Sequence, residues 1–156
     1  MIEAARLATS DDLSRLTELA REAIAEQRPT KGGEVWARRE ARHEPLEDSL
    51  SEDLANPDAA VFAGTIDDAV IGYAVVSSEL LDDGDTLARL TDVYVEPEAR
   101  GVGVGEALLD AVVAWATQRS CIGIDALALP GNRETKNFFE SFGLVARAIV
   151  VHRPLP

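Results

Sequence analysis

This sequence contains one cysteine, two histidines and two lysines in 156 residues, and each scarcity excludes a class of protein. Cys121 has no second cysteine to pair with, so an internal disulfide cannot form, which fits a reducing compartment. His43 and His152 lie far apart, and no tight cluster of histidine, cysteine and aspartate accompanies either one. The sequence therefore predicts no metal site, and Lys31 and Lys136 beside many arginines indicate a GC-rich bacterial genome.

The chain also lacks long apolar segments, and its basic residues are outnumbered by its acidic ones. No apolar segment is long enough to span a bilayer, and the N-terminus lacks a basic, apolar signal stretch, which predicts a cytoplasmic protein without a membrane partner. Fifteen basic residues against 28 acidic ones give a net charge of −13, which argues against nucleic acid as a partner. The acidity favours a cationic ligand or merely keeps the protein in solution. With 46% hydrophobic residues, residues 1–156 are predicted to form one domain with one core.

The most informative stretch covers residues 90–118, where a strand, a glycine-rich turn and a helix follow one another. The strand over residues 90–95 ends before Pro97, because proline cannot donate to a sheet ladder. Arg100, Gly101, Gly103 and Gly105 follow, and residues 106–118 show a mostly apolar helical pattern. A helix start has free backbone N–H groups and a partial positive charge, so this turn is predicted to bind an anion such as a diphosphate.

Three phosphate-binding patterns were compared with this turn. A P-loop requires Gly-Lys-Ser/Thr after its second glycine, but Glu106 follows Gly105 and no lysine is near. A dinucleotide fingerprint requires glycine where Glu106 stands, so Asp125 at about the right later distance does not rescue it. Arg-x-x-Gly-x-Gly, opening a helix after a strand, is met by Arg100, Gly103 and Gly105. This stretch resembles the pyrophosphate-binding motif of the GCN5-related N-acetyltransferases (GNAT family).

A second motif of that family is similar to residues 132–144. Asn132 is a good helix N-cap, Gly143 is a good C-cap, and three phenylalanines form an apolar face between them. The two motifs occur in the family's order, about thirty residues apart, which makes the resemblance specific.

The remaining pattern agrees with that family's fold. We predict a first strand over residues 2–8, a helix capped by Thr9 and Asp12 that runs to residue 27, and short helices over 34–43 and 45–55. Strands over 59–66, 69–78 and 86–95 follow, the first two as a hairpin. A strand buried on both faces is predicted over 121–129, and a final strand over 144–153. The resemblance implies an α/β fold with a twisted, mostly antiparallel mixed sheet, helices on both faces, and splayed fourth and fifth strands.

The resemblance implies acetyl-CoA as acyl donor and no metal. Its pantetheine arm would pair with strand groups of Val93, Tyr94 and Val95 in the gap between the splayed strands. The cofactor would also contact the turn and two helix starts, at Arg100, Gly101, Val102, Gly103, Val104, Gly105, Glu106 and Asn132. Transfer of the acetyl group to an amine in a ternary complex is the implied reaction, and a homodimer is common among such proteins.

The catalytic groups are less clearly marked. Asp92, beside the expected thioester, is the candidate general base, with Glu79 and Glu96 as weaker candidates, and the N–H of Val93 could stabilise the oxyanion. Many relatives place a proton-donating tyrosine seven residues after the motif asparagine, where this chain has Phe139. Water or a hydroxyl one turn earlier, Thr135, could replace it.

Two classes of function follow. The first is an N-acetyltransferase acting on a small-molecule amine, a peptide N-terminus or a lysine. The second is an acyl-CoA-binding regulatory domain with weak or lost catalysis, for which Phe139 is the reason. Acidity favours polyamine or aminoglycoside acceptors, whereas a cluster from Arg38 to His43 either binds an acceptor carboxylate or is a solvated helix face.

Overall fold

The structure, a computed structural model, describes residues 1–156 and contains five strands and five α-helices. The strands are β1 (Glu3–Leu7), β2 (Ala59–Ile66), β3 (Ala69–Leu80), β4 (Thr86–Val95) and β5 (Ile124–Ala126). The helices are α1 (Leu13–Gln27), α2 (Gly33–Arg39), α3 (Leu46–Ala55), α4 (Val104–Gln118) and α5 (Arg133–Ser141), with short 3-10 turns at Ser10–Asp12 and Pro97–Ala99. No helix combines the length and hydrophobicity needed to cross a bilayer.

All five strands form one sheet in the order β1-β2-β3-β4-β5. Neighbouring strands from β1 to β4 are antiparallel, and β5 is parallel to β4, as expected when a crossover helix, here α4, connects two strands. The sheet is therefore mixed and mostly antiparallel, which confirms the predicted fold.

Each face of the sheet is covered by helices. One core cluster packs α4 and Phe139 of α5 on one face, and the other packs α1 and α3 on the opposite face. Gly64 on β2 allows α4 to lie close to the sheet, since a β-carbon there would come within 2.7 Å of the Val104 side chain. This close approach fixes the start of α4 against the end of the sheet where β4 also ends.

Local signals in the sequence correctly placed several element ends. Thr9 and Asp12 form the predicted reciprocal capping box before α1, in which the Asp12 carboxylate accepts from the Thr9 N–H at 2.8 Å. Asp67 and Asp68 join β2 to β3 with φ values of +48° and +70°, the left-handed pair that a two-residue hairpin favours. Gly72 makes the predicted close backbone approach, to the Tyr94 carbonyl.

Three predicted elements differ from the structure. Residues 144–153 do not form a strand, and β5 covers three residues rather than 121–129 and is half-buried rather than buried on both faces. The missing final strand and the short β5 have one cause. β5 has a ladder partner only on its β4 side, and residues 145–156, which could pair with its other side, make no backbone hydrogen bond. Helix α2 ends at Arg39 instead of residue 43, because the chain turns there and Arg42 points inward.

Candidate active site

A gap opens between β4 and β5. Their ladder ends at the pair Leu90–Ala126, whereas β4 continues to Val95. The N–H of Glu96 donates to the Ile71 carbonyl on β3, so alternate residues Tyr94 and Asp92 also direct their backbone groups to β3. The backbone groups of Val93 and Val95 therefore face the gap, although the Val95 carbonyl already accepts from Arg100 Nε at 2.8 Å. Those of Tyr94 face β3, which corrects its predicted role as a backbone partner in the gap.

The N-terminus of α4 lies at the same end of the sheet. Gly101 and Gly103 have φ values of +82° and +104°, a conformation that favours glycine, and Gly103 is the N-cap. The first helical hydrogen bond runs from Ala107 N–H to the Gly103 carbonyl at 3.0 Å. The N–H groups of residues 104–106 consequently have no partner within the helix, and the helix dipole adds positive potential there.

Gly105 serves packing rather than anion access. A β-carbon at Gly105 would lie 3.1 Å from the Phe138 ring of α5, whereas one at Gly101 would meet no atom within 4 Å. The motif glycines thus divide their roles: the first two shape the turn, and the third lets α5 pack against α4. The middle of α5 is thereby held against the first turn of α4.

Arg100 does not extend free positive charge into the turn. Its guanidinium makes two hydrogen bonds to the Glu26 carboxylate on α1, at 2.9 and 2.8 Å, and lies over the Tyr94 ring. The hydrogen bond with Glu26 raises the pKa of Arg100. Burial, with Glu26 and Glu22 nearby, raises the pKa of Tyr94 to about 12, so its phenol stays protonated at neutral pH. At the candidate anion site, the Glu26 carboxylate therefore occupies the position on Arg100 that an anionic ligand would take.

Asn132 connects two helices. Its side-chain oxygen accepts from the Thr135 N–H at 3.1 Å, which confirms it as the N-cap of α5, and its side-chain nitrogen donates to Gln27 at the end of α1 at 3.0 Å. Both polar atoms of the side chain are thus engaged within the protein. The contact positions the start of α5 beside the end of α1, where residues 30–32 meet Pro130 and Gly131.

Asp92, the predicted general base, lies in a saturated hydrogen-bond network. Arg42 donates from Nε and Nη2 to its two carboxylate oxygens, at 3.0 and 2.8 Å. The Tyr73 hydroxyl donates to one oxygen at 2.8 Å, and the Thr91 hydroxyl lies 2.8 Å from the other. The Asp92 side chain is only 11% exposed, so accepting a proton from a substrate would require displacing Arg42. This geometry argues against Asp92 as the base and favours a positioning role.

Arg42 is the site residue whose role the sequence did not reveal. Its side chain is 5% exposed and also donates to Ser49 and Asp53, at 2.8 and 2.7 Å. Burial opposes the charge, but the attraction and hydrogen bonds of Asp92 and Asp53 outweigh it and raise the pKa of Arg42. Arg42 is therefore neither a solvated helix residue nor free for an acceptor carboxylate, and no local pattern marks a pair separated by fifty positions.

The other candidate catalytic groups are also engaged or chemically inert. Glu96 forms an ion pair with Arg15, and Glu79 lies 3.6 Å from Arg89. Phe139 is buried in the core with its ring centroid 6.0 Å from that of Phe138, so it packs α5 and offers no proton. His43 lines a shallow cavity of about 260 Å³ with three acidic residues, Glu44, Asp48 and Glu52.

A strand gap beside a helix N-terminus that no side chain caps, on a five-stranded mixed sheet, is the arrangement expected of acyl-CoA-dependent transferases. The model of the Acetyltransferase (GNAT) family matches residues 17–144, which is most of the chain. This chain belongs to that family.

Known proteins add detail to this membership. The chain is 38% identical over 85 residues to an aminoglycoside N(6')-acetyltransferase type 1 of Stenotrophomonas maltophilia, which covers 50% of this chain and 54% of the relative. The chain thus spans about half the length of that curated relative. Among solved structures, AAC(6')-Iy in complex with a bisubstrate analogue, CoA-S-monomethyl-acetylneamine, is 20% identical with a TM-score of 0.74, covering 100% and 99% of the two chains. A transcriptional regulator from Bacillus halodurans C-125 is 19% identical with a TM-score of 0.74, covering 99% and 100%. At these identities the two structures show the fold alone.

Proposed function

We propose that residues 1–156 form one acetyltransferase domain, which transfers an acetyl group from acetyl-CoA to an amine of a polycationic small molecule, such as an aminoglycoside or a polyamine. The observation that carries this proposal is that the β4–β5 gap and the free N–H groups at the start of α4 lie at the same end of the sheet. A pantetheine arm and a diphosphate need these two features side by side. A cytoplasmic location in a bacterium remains a prediction from the sequence.

The chain's own groups are assigned as follows. Val93 and the N–H of Val95 would pair with the pantetheine amides, since the Val95 carbonyl accepts from Arg100. The N–H groups at the start of α4 would bind the diphosphate. Bound acetyl-CoA supplies a thioester, whose carbonyl carbon bonds to the acceptor nitrogen while the C–S bond breaks and the amine releases a proton. The N–H of Val93 is placed to stabilise the oxyanion that develops in this step.

The proton of the amine requires a route other than direct transfer to Asp92. Arg42 would have to leave Asp92 before that carboxylate could bind the proton. We therefore assign proton removal to water in the gap, and we assign Asp92 to holding β4, through Arg42, against α3. The bulge in β4 lies between residues 90 and 92, beside Val93, so this network also fixes where the free N–H of Val93 points.

The acceptor class follows from which charges remain unneutralised. In the sequence, acidity favoured a cationic acceptor and the cluster from Arg38 to His43 favoured a carboxylate. Arg42 is buried against two aspartates and is not available to an acceptor, and Arg39 lies 3.7 Å from Glu40. Arg38 is then the arginine of this cluster that has no ion pair, so the cluster is less positive than its sequence suggests. The net charge of −13 and the partial similarity to an aminoglycoside acetyltransferase both favour a cation.

The test is free-thiol release from acetyl-CoA with aminoglycosides, polyamines, amino acids and short peptides as acceptors. We expect release with the aminoglycosides or polyamines and an acetylated product by mass spectrometry. Release only with acceptors that carry a carboxylate would contradict the proposed class. Asp92→Asn is measured in parallel: a fall in turnover that tracks a loss of stability supports positioning, and a fall with full stability that exogenous base restores would instead identify Asp92 as the base.

An acyl-CoA-binding domain without efficient catalysis is the second candidate, favoured by Phe139 in place of the acid and by the saturated Asp92. Acetyl-CoA binding by calorimetry without thiol release from any acceptor would establish it. Both candidates require acetyl-CoA binding, so absence of binding would remove both.

Glu26→Gln should tighten acetyl-CoA binding. In the free protein Glu26 holds Arg100, and the diphosphate has to compete with this carboxylate. Because both side chains are partly exposed, the pair is worth ~0.2–1 kcal/mol, so we expect up to a ~5-fold lower Kd by calorimetry. Glu22→Gln is the matched control, since Glu22 faces the Tyr94 hydroxyl and not Arg100. Weaker binding in Glu26→Gln would show that Glu26 orients Arg100 for the cofactor instead.

Phe139→Tyr should leave turnover equal or raise it by up to ~100-fold, which is the lower end of what a positioned acid contributes. The new hydroxyl helps only if it reaches the gap, and a hydroxyl buried without a partner costs about 1–3 kcal/mol of stability. Turnover and urea unfolding are therefore measured on the same sample. Phe142→Tyr, at the half-buried C-cap of the same helix, is the control. A collapse of turnover with acetyl-CoA affinity intact would contradict this expectation.

A further inference from the structure

Two consecutive residues at the end of α1 contact opposite sides of the β4–β5 gap. Glu26 binds the guanidinium of Arg100, which in turn donates to the Val95 carbonyl at the end of β4. Gln27 accepts a hydrogen bond at 3.0 Å from Asn132, which follows β5 and begins α5. Helix α1 therefore ends between the two strands that splay apart, with one side chain bound on each side.

The turn after α1, residues 28–33 and here called the strap, crosses from the β4 side to the β5 side. It closes on itself, since the N–H and the hydroxyl of Thr30 both donate to the Gln27 carbonyl, at 3.0 and 2.7 Å. The Gly33 N–H donates to the Thr30 carbonyl at 2.8 Å. Because these bonds lie within the segment, the strap can move as one unit without leaving them unmade.

The strap meets the loop after β5 through a close backbone contact. A β-carbon on Gly131 would lie 2.7 Å from the Lys31 nitrogen, so only glycine permits this approach. No backbone hydrogen bond joins the strap to residues 129–132, and the two segments are held by packing and by one neutral side-chain hydrogen bond. Such a bond contributes little net free energy, so the β5 side of the strap releases easily.

We propose that the strap closes the open end of the gap in the free protein and must release before acetyl-CoA enters or leaves, an inference that rests on the proposed function. The pantetheine arm in the gap and the diphosphate at the start of α4 are joined through that open end. The diphosphate takes Arg100 from Glu26, which frees the β4 side. The β5 side opens when Asn132 leaves Gln27, and that contact re-forms once the arm is in place.

A gate that opens before binding has a kinetic signature. The observed rate of acetyl-CoA binding, followed by stopped-flow tryptophan fluorescence, should reach a plateau at high acetyl-CoA concentration, where opening of the strap limits it. Gln27→Ala removes the hydrogen bond on the β5 side, so the association and dissociation rate constants should both rise ~2- to 10-fold with an unchanged Kd.

Gln118→Ala is the matched control for Gln27→Ala. It removes the same side chain from the last residue of α4, where that side chain is exposed, and both rate constants should equal those of the parent. Circular dichroism and the urea midpoint check that every variant is folded.

The β4 side of the strap predicts a different pattern. Glu26→Gln should raise the association rate constant by up to ~5-fold and leave the dissociation rate constant unchanged, because Glu26 holds Arg100 only in the free protein. This split accounts for the lower Kd expected of that variant. A rise in the dissociation rate constant alone would overturn the assigned release, since Glu26 would then support the bound state.

Gly131→Ala tests the packing contact without removing a polar group. Its β-carbon would press on the backbone of Lys31, so the strap should separate from the loop and the plateau should rise as in Gln27→Ala. Gly123→Ala is the control, because a β-carbon there meets only Leu87, at an ordinary distance of 3.8 Å.

Faster entry and exit in Gln27→Ala and Gly131→Ala, with parental rates in both controls, would support the gate. Binding without a plateau, or rate constants that these two variants leave unchanged, would overturn the gate while the proposed function stands. Absence of acetyl-CoA binding by calorimetry would instead remove the proposed function, and with it the ligand that the strap is proposed to admit.

Discussion

Arg42→Ala should lower the free energy of unfolding by about 3–5 kcal/mol. The substitution removes the only cation from two carboxylates, one of which, on Asp92, is almost entirely shielded from water. Tyr73 and Thr91 would still contact Asp92, but neither carries the charge that offsets its burial. Asp53 is more exposed and can recover water, so most of the loss should come from Asp92.

Urea unfolding followed by circular dichroism measures this loss, and an unchanged m-value would show that two-state unfolding is preserved. Arg39→Ala is the matched control: it removes an arginine three positions earlier that is 76% exposed and 3.7 Å from Glu40. That change should stay within about 0.5 kcal/mol of the parent. A loss below ~1 kcal/mol for Arg42→Ala would mean that water or another cation reaches Asp92, and the network would not position β4 as we describe.

Gly103→Asp should weaken acetyl-CoA binding at least ~100-fold, equivalent to about 2.7 kcal/mol. The new carboxylate would stand beside the free N–H groups of α4 and occupy the positive potential that a diphosphate requires. The β-carbon alone would lie 3.1 Å from Cγ of Glu3, whose carboxylate adds repulsion. The left-handed backbone at Gly103 adds strain of about 1–3 kcal/mol for any other residue.

Two variants separate these causes. Gly103→Ala introduces the strain and the β-carbon without the charge, so its loss of affinity by calorimetry should be clearly smaller. Gly84→Asp makes the same replacement at φ +92° in a turn where a β-carbon meets no atom within 4 Å, and its affinity should equal that of the parent. Parental affinity in Gly103→Asp would place the diphosphate elsewhere and remove the proposed anion site at the start of α4.

Features that depend on near neighbours in the chain could be predicted from the sequence. The capping box of Thr9 and Asp12, the Asp67-Asp68 turn and the N-cap at Asn132 each satisfy backbone groups within a few residues. The glycine-rich turn is local in the same sense, because a left-handed residue followed by a helix start needs no distant partner. These signals indicated the element order as far as α5, and they carried the resemblance to the family.

The tertiary structure decided which charged groups are free. Arg42 and Asp92 lie fifty residues apart, and Glu26 and Arg100 lie 74 apart, so no spacing rule could pair them. Both ion pairs changed the expected chemistry: one saturates the predicted base, and the other masks the predicted phosphate arginine.

The two predicted strands near the end of the chain also show which features are local and which depend on distant residues. Residues 121–129 and 144–153 have strand composition, but a strand forms only where another backbone supplies its hydrogen bonds. Sequence by itself determined that these two segments favour extended structure. Whether each has a partner is a property of the assembled sheet, because ladder hydrogen bonds and ion pairs join residues that are neighbours only in space.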